Sequence, residues 1–244
     1  MVGEKFKIFP TILLLMLNIG EDLTMTFQRA RNDEQRQIRI NQITTAMIEL
    51  MEDLPFDKIT MKKLGEKLSF TRNNLYQYVK SKNEVILLII QQDFVEWANS
   101  LHDNLQPLKT PTLSAFCKVW VQAAVKYPRI LHWFPLLGEL IEKDITLEKL
   151  IPFKKSYFKI LEAVKKDIIK VLPKLDSAQA ERLVYFHLRV LPHLFHLYNE
   201  SNVQKEAIKQ AGYPGPQGSF EEQAEIEMQI YVNGLYNTDL EINE

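Results

Sequence analysis

Arg72, Asn73, Asn74, Tyr76, Gln77 and Tyr78 place six hydrogen-bonding or planar side chains within seven positions, with no carboxylate among them. An arginine presents two parallel N–H donors to guanine O6 and N7, an asparagine amide matches adenine N6 and N7, and a tyrosine hydroxyl can hold a backbone phosphate. A helix turned only to water would usually mix in Glu or Asp. This face therefore suits base edges and phosphates in a major groove.

Two short helices and a tight turn must position it. Thr60 is placed to cap a first helix, with Leu64 and Leu68 four apart on its buried side and Lys62, Lys63, Glu66 and Lys67 in water. After a turn at Ser69 and Phe70, Thr71 caps a second helix whose inward residues are Leu75 and Val79, with Phe70 expected beneath them. Ser81 to Glu84 reads S-x-x-E, a capping box that opens the next, long helix beyond the unit. Upstream, a helix over about 33–52 supplies Ile40, Ile43, Met47, Leu50, Met51 and, just past its end, Leu54. Together these predict a three-helix unit of helix-turn-helix type.

The block 55–84 resembles the TetR/AcrR transcriptional regulators. Phe56, Thr60, Met61, Leu64, Leu68, Phe70, Thr71, Leu75, Tyr76, Tyr78, Val79, Ser81, Lys82 and Glu84 follow the family's order and spacing, most specifically from Leu75 to Lys82. Four positions depart from the usual pattern: Pro55 and Ser69 where glycine is common, Gly65 where alanine is, and Val79 where phenylalanine is frequent. The close resemblance covers roughly a fifth of the chain. It implies that Lys62, Thr71, Arg72, Asn73, Asn74, Tyr76, Tyr78 and Lys82 form the DNA-binding set. On chemistry, Arg72 and Asn73 or Asn74 suit bases, whereas Tyr76, Tyr78 and Lys82 suit phosphates; the competing reading for one of the two tyrosines is packing between helices.

Composition sets the surroundings of this block. The 244 residues are 46% hydrophobic, enough for a substantial core, and 30 basic residues stand against 31 acidic ones. The distribution is more telling than the total. Residues 26–82 carry 11 Lys+Arg against 7 Asp+Glu, and residues 83–244 carry 17 against 21. Arg29, Arg31, Arg36 and Arg39 precede or open the first helix, where phosphate contacts would make binding fall steeply with salt. One cysteine, Cys117, excludes an internal disulfide, fits a reducing compartment and reads as a buried small hydrophobe. No G-x-G-x-x-G, P-loop, H-E-x-x-H or G-x-S-x-G occurs among only 8 glycines, so neither an enzyme nor a cofactor is expected.

Lys5 and Lys7 followed by an apolar run resemble a short signal peptide, but the run is too short to span a bilayer and no cleavage site follows. The expectation is a flexible or misannotated extension over 1–25, with translation beginning at Met25 and the protein cytoplasmic. The alternative is that Ile12 to Leu17 pack as an extra helix.

From Val85 onward the pattern is helical and punctuated by proline, with segments at about 82–105, 112–127, 129–143, 146–171, 177–200 and 220–236. Breaks are expected at Pro107, Pro111, Pro128, Pro152, Pro173 and the loop 212–218. The fold class is all-α: an N-terminal helix-turn-helix domain over 26–82, then a larger helical ligand-binding and dimerisation domain over 83–244. The resemblance implies that the last two long helices pair with their copies in a homodimer, and that a ligand moves the helix after Ser81. A dimer would read a palindromic duplex operator. Aromatic residues along the body (Trp97, Phe116, Trp120, Trp133, Phe134, Tyr157, Phe158, Tyr185, Phe186, His187 and Phe195) suit a small hydrophobic or aromatic inducer, without assigning any residue to a pocket. His193 and His196 are three apart with only Glu200 near in sequence, too few ligands for a metal site. The competing function is a helical adaptor that binds protein and has lost specific DNA binding.

Overall fold

The computed structural model describes residues 23–109 and 111–237, with side chains from residue 33 onward; the extension discussed above lies outside the described residues up to position 22. All regular structure among the described residues is helical. Contacts divide the chain into two compact units. One runs through Gln92 and takes in Gly138–Lys155; the other comprises Asp93–Leu137 and the chain from Ser156 onward.

The first unit is built on α1 (Leu23–Asp53), which packs against α2 (Met61–Glu66) and α3 (Arg72–Tyr78). Ile43, Met47 and Leu50 of α1, Ile59, Leu64 of α2, and Leu75 with Val79 at the end of α3 are buried, so each short helix is held by one buried leucine, joined at α3 by Val79, rather than by its own length. Both caps expected from sequence are formed: Thr60 Oγ1 accepts from the Lys63 amide at 3.2 Å and Thr71 Oγ1 from the Asn74 amide at 3.4 Å. The first helix is shorter than the pattern suggests. Lys67 and Leu68 bond back to the carbonyls three residues earlier, which tightens the last turn and leaves Leu68 half-buried in the connection. Phe70 also differs from expectation. Its ring lies against Tyr78, with the Arg39 guanidinium 4.8 Å from its centre.

The start of α4 (Lys82–Leu105) shows half of the expected capping box. Ser81 Oγ accepts from the Glu84 amide at 3.2 Å, but the buried Glu84 carboxylate accepts from the Lys80 amide, one residue earlier than the box requires. One turn into the unit's buried face, the Asn83 amide donates to the Leu140 carbonyl and the Asp144 carboxylate, tying the helix start to Gly138–Lys155.

The second unit contains the remainder of α4, α5 (Leu113–Lys126), α6 (Pro128–Trp133), the later part of α7 (Leu147–Val171), α8 (Ser177–Arg189), α9 (Leu191–Tyr198), α10 (Asn202–Gln210) and α11 (Phe220–Asn237). α11 packs on α5, and α9 on α6, α8 and α11. Three proline effects correct the segment boundaries. The expected helix over 129–143 stops at Trp133 and continues as 3₁₀ and π turns, because Pro135 lacks the N–H that would continue the ladder. The segment 177–200 divides at Val190, with Pro192 in the first turn of α9. Pro152, by contrast, breaks nothing: α7 runs through it, anchored by Phe153, Ile160, Val164, Ile168 and Val171 along one face. Helix α10 was not expected, although Ser201 and Gln204 form a complete capping box at its start.

At the centre of the second unit, Trp97, Phe116, Trp120 and His187 are wholly or almost wholly buried, and the Trp97 and His187 rings stack 4.3 Å apart. Cys117 is buried, and loss of hydration, with a smaller contribution from Glu225, pushes its thiol up to about 12, which leaves it a small hydrophobe. Asp93 is buried beside Arg129, whose two donors reach its two oxygens at 2.7 and 2.6 Å.

Candidate nucleic-acid interface

The seven residues of α3 divide sharply. Leu75 is fully buried, and Val79 just beyond the helix is nearly so; Thr71, Arg72, Asn73, Asn74 and Gln77 are exposed. The side chains of Asn73, Asn74 and Gln77 make no hydrogen bond to other described residues, so their amide donors and acceptors face water. Arg72 is steered along the helix instead. Its Nη2 donates to the Tyr76 hydroxyl at 3.2 Å and its guanidinium lies 5.5 Å from that ring, leaving the rest of its five-donor fork for an outside acceptor.

The two tyrosines differ. Tyr76 is half-buried, with its hydroxyl met by Arg72 and its carbonyl accepting from the Lys80 ammonium at 2.5 Å. Tyr78 is wedged towards α1: the Phe70 ring is 6.4 Å away and the Arg36 guanidinium 5.7 Å from its centre. It therefore helps to seat α3 on α1. The Lys82 ammonium likewise has an internal role, donating to the Phe56 carbonyl at 2.8 Å and lying 4.1 Å above the Phe56 ring. An ammonium has three donors, so that anchorage does not exhaust it. Lys62 is exposed on α2 with a 3.9 Å pair to Glu66 that water screens.

Sequence reasoning did not single out Arg36 and Arg39 as packing groups. Both sit over aromatic rings from the α3 side, Tyr78 and Phe70 respectively, and Arg39 also donates to Gln42. Their spacing of three along α1 was the available signal.

The body's last helices leave apolar side chains uncovered. Val190, Leu197, Ile226 and Ile230 are large apolar residues that remain exposed on α8–α9 and α11. His193 is exposed, whereas His196 lies against His132, with ring centres 5.2 Å apart, and burial and that neighbour lower the His132 pKa.

Residues 91–238 match the model of the tetracycline repressor-like C-terminal domain. The chain belongs to the TetR family. It is a TetR-like transcriptional regulator in fold and family. A solved structure of the fatty acid degradation regulator FadR from Bacillus halodurans is similar to this TetR chain with a TM-score of 0.52 at 12% identity, covering 80% of this chain and 95% of that one. At that identity the likeness speaks to the fold. No curated protein sequence matches. Among the described residues of this TetR protein, no helix is long and apolar enough to cross a membrane.

Proposed function

We propose that the protein is a homodimeric repressor whose paired α3 helices read a palindromic DNA operator and which a small apolar ligand releases. The observation that carries this reading is the outer face of α3, where Asn73, Asn74 and Gln77 hold unanswered hydrogen-bonding groups in water beside Arg72. Arg72 and one of the asparagines are assigned to bases. Lys62, Thr71, Tyr76, Tyr78 and Lys82 are assigned to the phosphate backbone and to holding α3 in register. A second copy is required because one helix of this length touches only a few base pairs, and two half-sites at fixed spacing supply the missing specificity. The exposed apolar residues Val190, Leu197, Ile226 and Ile230 are the surface assigned to that second copy.

Release by a ligand needs only that the ligand favour a DNA-incompetent state, and DNA then weakens the ligand by the same factor. Selection of binding sites from a random duplex pool at one fixed salt concentration tests the reading, with Asn74→Ala as control. A two-fold symmetric motif that weakens in the control is the expected result. No enrichment by a dimer in solution, with or without candidate ligands, transfers the assignment to a protein-binding adaptor.

A further inference from the structure

The core of the second unit buries two N–H donors that no acceptor among the described residues answers. Trp97 is wholly buried and His187 is 1% exposed, and their rings stack at 4.3 Å with planes 14° apart. The Trp120 indole N–H donates to His187 Nδ1 at 3.1 Å. That bond needs a lone pair on Nδ1, so the hydrogen of the neutral ring is on Nε2. Among the described residues neither His187 Nε2 nor Trp97 Nε1 has a hydrogen-bond partner, and the Ser156 hydroxyl and Glu200 Oε2 are the two other buried groups of this kind, both in the same unit.

Roughly nine in ten or more buried polar groups in folded proteins are bonded, and each one left bare loses its hydration without replacement. Two such donors on one pair of stacked rings are therefore a concentrated deficit. The rest of the neighbourhood is aromatic and apolar: Phe94 lies 5.7 Å from Trp97, and Phe116 lies 5.6 Å from Trp120. The burial that isolates His187 lowers its pKa to about 3, so it resists becoming a cation. The one buried carboxylate nearby along α4, Asp93, is already closed on Arg129.

Building on the ligand-responsive reading above, we propose that the Trp97–His187 stack is the point of ligand recognition. The ligand class is a neutral, apolar molecule bearing a carbonyl oxygen: a ketone, ester or amide. A carbonyl oxygen brings two lone pairs and no hydrogen of its own, which matches a site with unanswered N–H donors. A carboxylate would have to shed its hydration with no buried cation to receive it. A pure hydrocarbon would leave the deficit in place.

The test uses the full chain with ¹⁵N-labelled tryptophan, which gives three indole N–H signals for Trp97, Trp120 and Trp133. Benzophenone is titrated against diphenylmethane, which has the same frame without the oxygen, and against 4-benzoylbenzoate, which adds a charge; 2-undecanone serves as a chain-like ketone. The expected result is a saturable downfield shift of the Trp97 signal with a ketone, at about tenfold lower concentration than any effect of diphenylmethane or the anion, the worth of one added hydrogen bond. His187→Phe, checked for helicity, should weaken ketone binding about tenfold while the Trp133 signal stays unmoved. Equal binding of diphenylmethane, movement confined to Trp133, or no shift with either ketone overturns the inference. So does a Trp97 signal already downfield without ligand and indifferent to all probes, the mark of an internal water. Operator affinity is measured in parallel: a symmetric operator with no Trp97 response sinks this inference alone, whereas a Trp97 response in a protein that selects no DNA sinks the regulator reading instead.

Discussion

The outer face of α3 and the Trp97–His187 stack both hold unanswered hydrogen-bonding groups, but one does so in water and the other in a sealed core. Asn73, Asn74 and Gln77 lose nothing while they wait, because water satisfies them until a partner displaces it. His187 Nε2 and Trp97 Nε1 have no such substitute. Surface groups can therefore be changed with little effect on stability, whereas in the core recognition and stability depend on the same atoms.

The largest expected effect crosses that boundary on the DNA side. Leu64 is fully buried and is the main anchor of α2, so Leu64→Ala should remove about 2–5 kcal/mol of stability and abolish operator binding with it. Chemical denaturation and a gel-shift titration check both. Arg72→Ala should separate what Leu64→Ala joins. It should leave the denaturation midpoint within about 0.5 kcal/mol of the parent, the usual range for an exposed site. It should nevertheless cost about 1–3 kcal/mol in discrimination at one base position. Lys82→Ala sharpens the division further, since Lys82 has both an internal and a proposed external role. It should weaken all sequences alike, lower the salt slope by about one, and also loosen the Phe56 turn it holds. Equal, sequence-independent losses from Arg72→Ala and Lys82→Ala would erase the distinction between base reading and phosphate holding.

The core side is probed by acid. The His187 pKa falls from the usual 6.5 to about 3 on folding, because burial penalises the charged ring. Between those values the unfolded chain binds the extra proton, so the stability contributed by the neutral ring is complete above pH 6.5 and is lost as pH falls through that window. The slope is at most about 1.4 kcal/mol per pH unit, the limit for one proton. His187→Phe should flatten the stability profile between about pH 6.5 and 5, before most carboxylates titrate. A wild-type slope unchanged in His187→Phe would assign the acid sensitivity elsewhere, His132 being the next candidate because its pKa is lowered in the same direction.

How much of this was legible in the sequence follows the same boundary. The helix caps at Thr60 and Thr71, the inward Leu64, Leu75 and Val79, and the exposed asparagines were readable because local hydrogen bonding and a 3.6-residue period fix them. The span of α4 was readable for the same reason. The packing of Tyr78 against Phe70 and Arg36, and of Lys82 against Phe56, was not, since it joins residues 26 or more apart along the chain in the Lys82 and Arg36 cases. His187 was legible only as one of eleven aromatic or polar residues spread along the body, none of them assigned to a pocket. Its partners are Trp97 and Trp120, on two other helices, and no period in one segment can reveal a stack assembled from three. Pro135 and Pro152 show a further limit: both remove an N–H, yet only the first ends its helix, because α7 has a long buried face to hold it together.

The smallest expected effect lies at Gly65, in the short helix behind the reading face. Glycine is one of the two residues that most weaken a helix interior, and α2 has only six residues. A Cβ built at Gly65 would meet Arg72 Cβ and Cγ and Leu75 Cδ2, all at 3.8 Å, which is ordinary contact and not a clash. Gly65→Ala should therefore stabilise the first unit by about 0.5–1 kcal/mol, partly by reducing the freedom of the unfolded chain. Because the added methyl touches the stem of Arg72, it should also restrict that side chain, and operator affinity should rise slightly or stay level. A stabilised variant that bound DNA more weakly would mean that the glycine serves the reading face by letting α2 and Arg72 move, and the separation of stability from recognition on this surface would not hold at its inner edge.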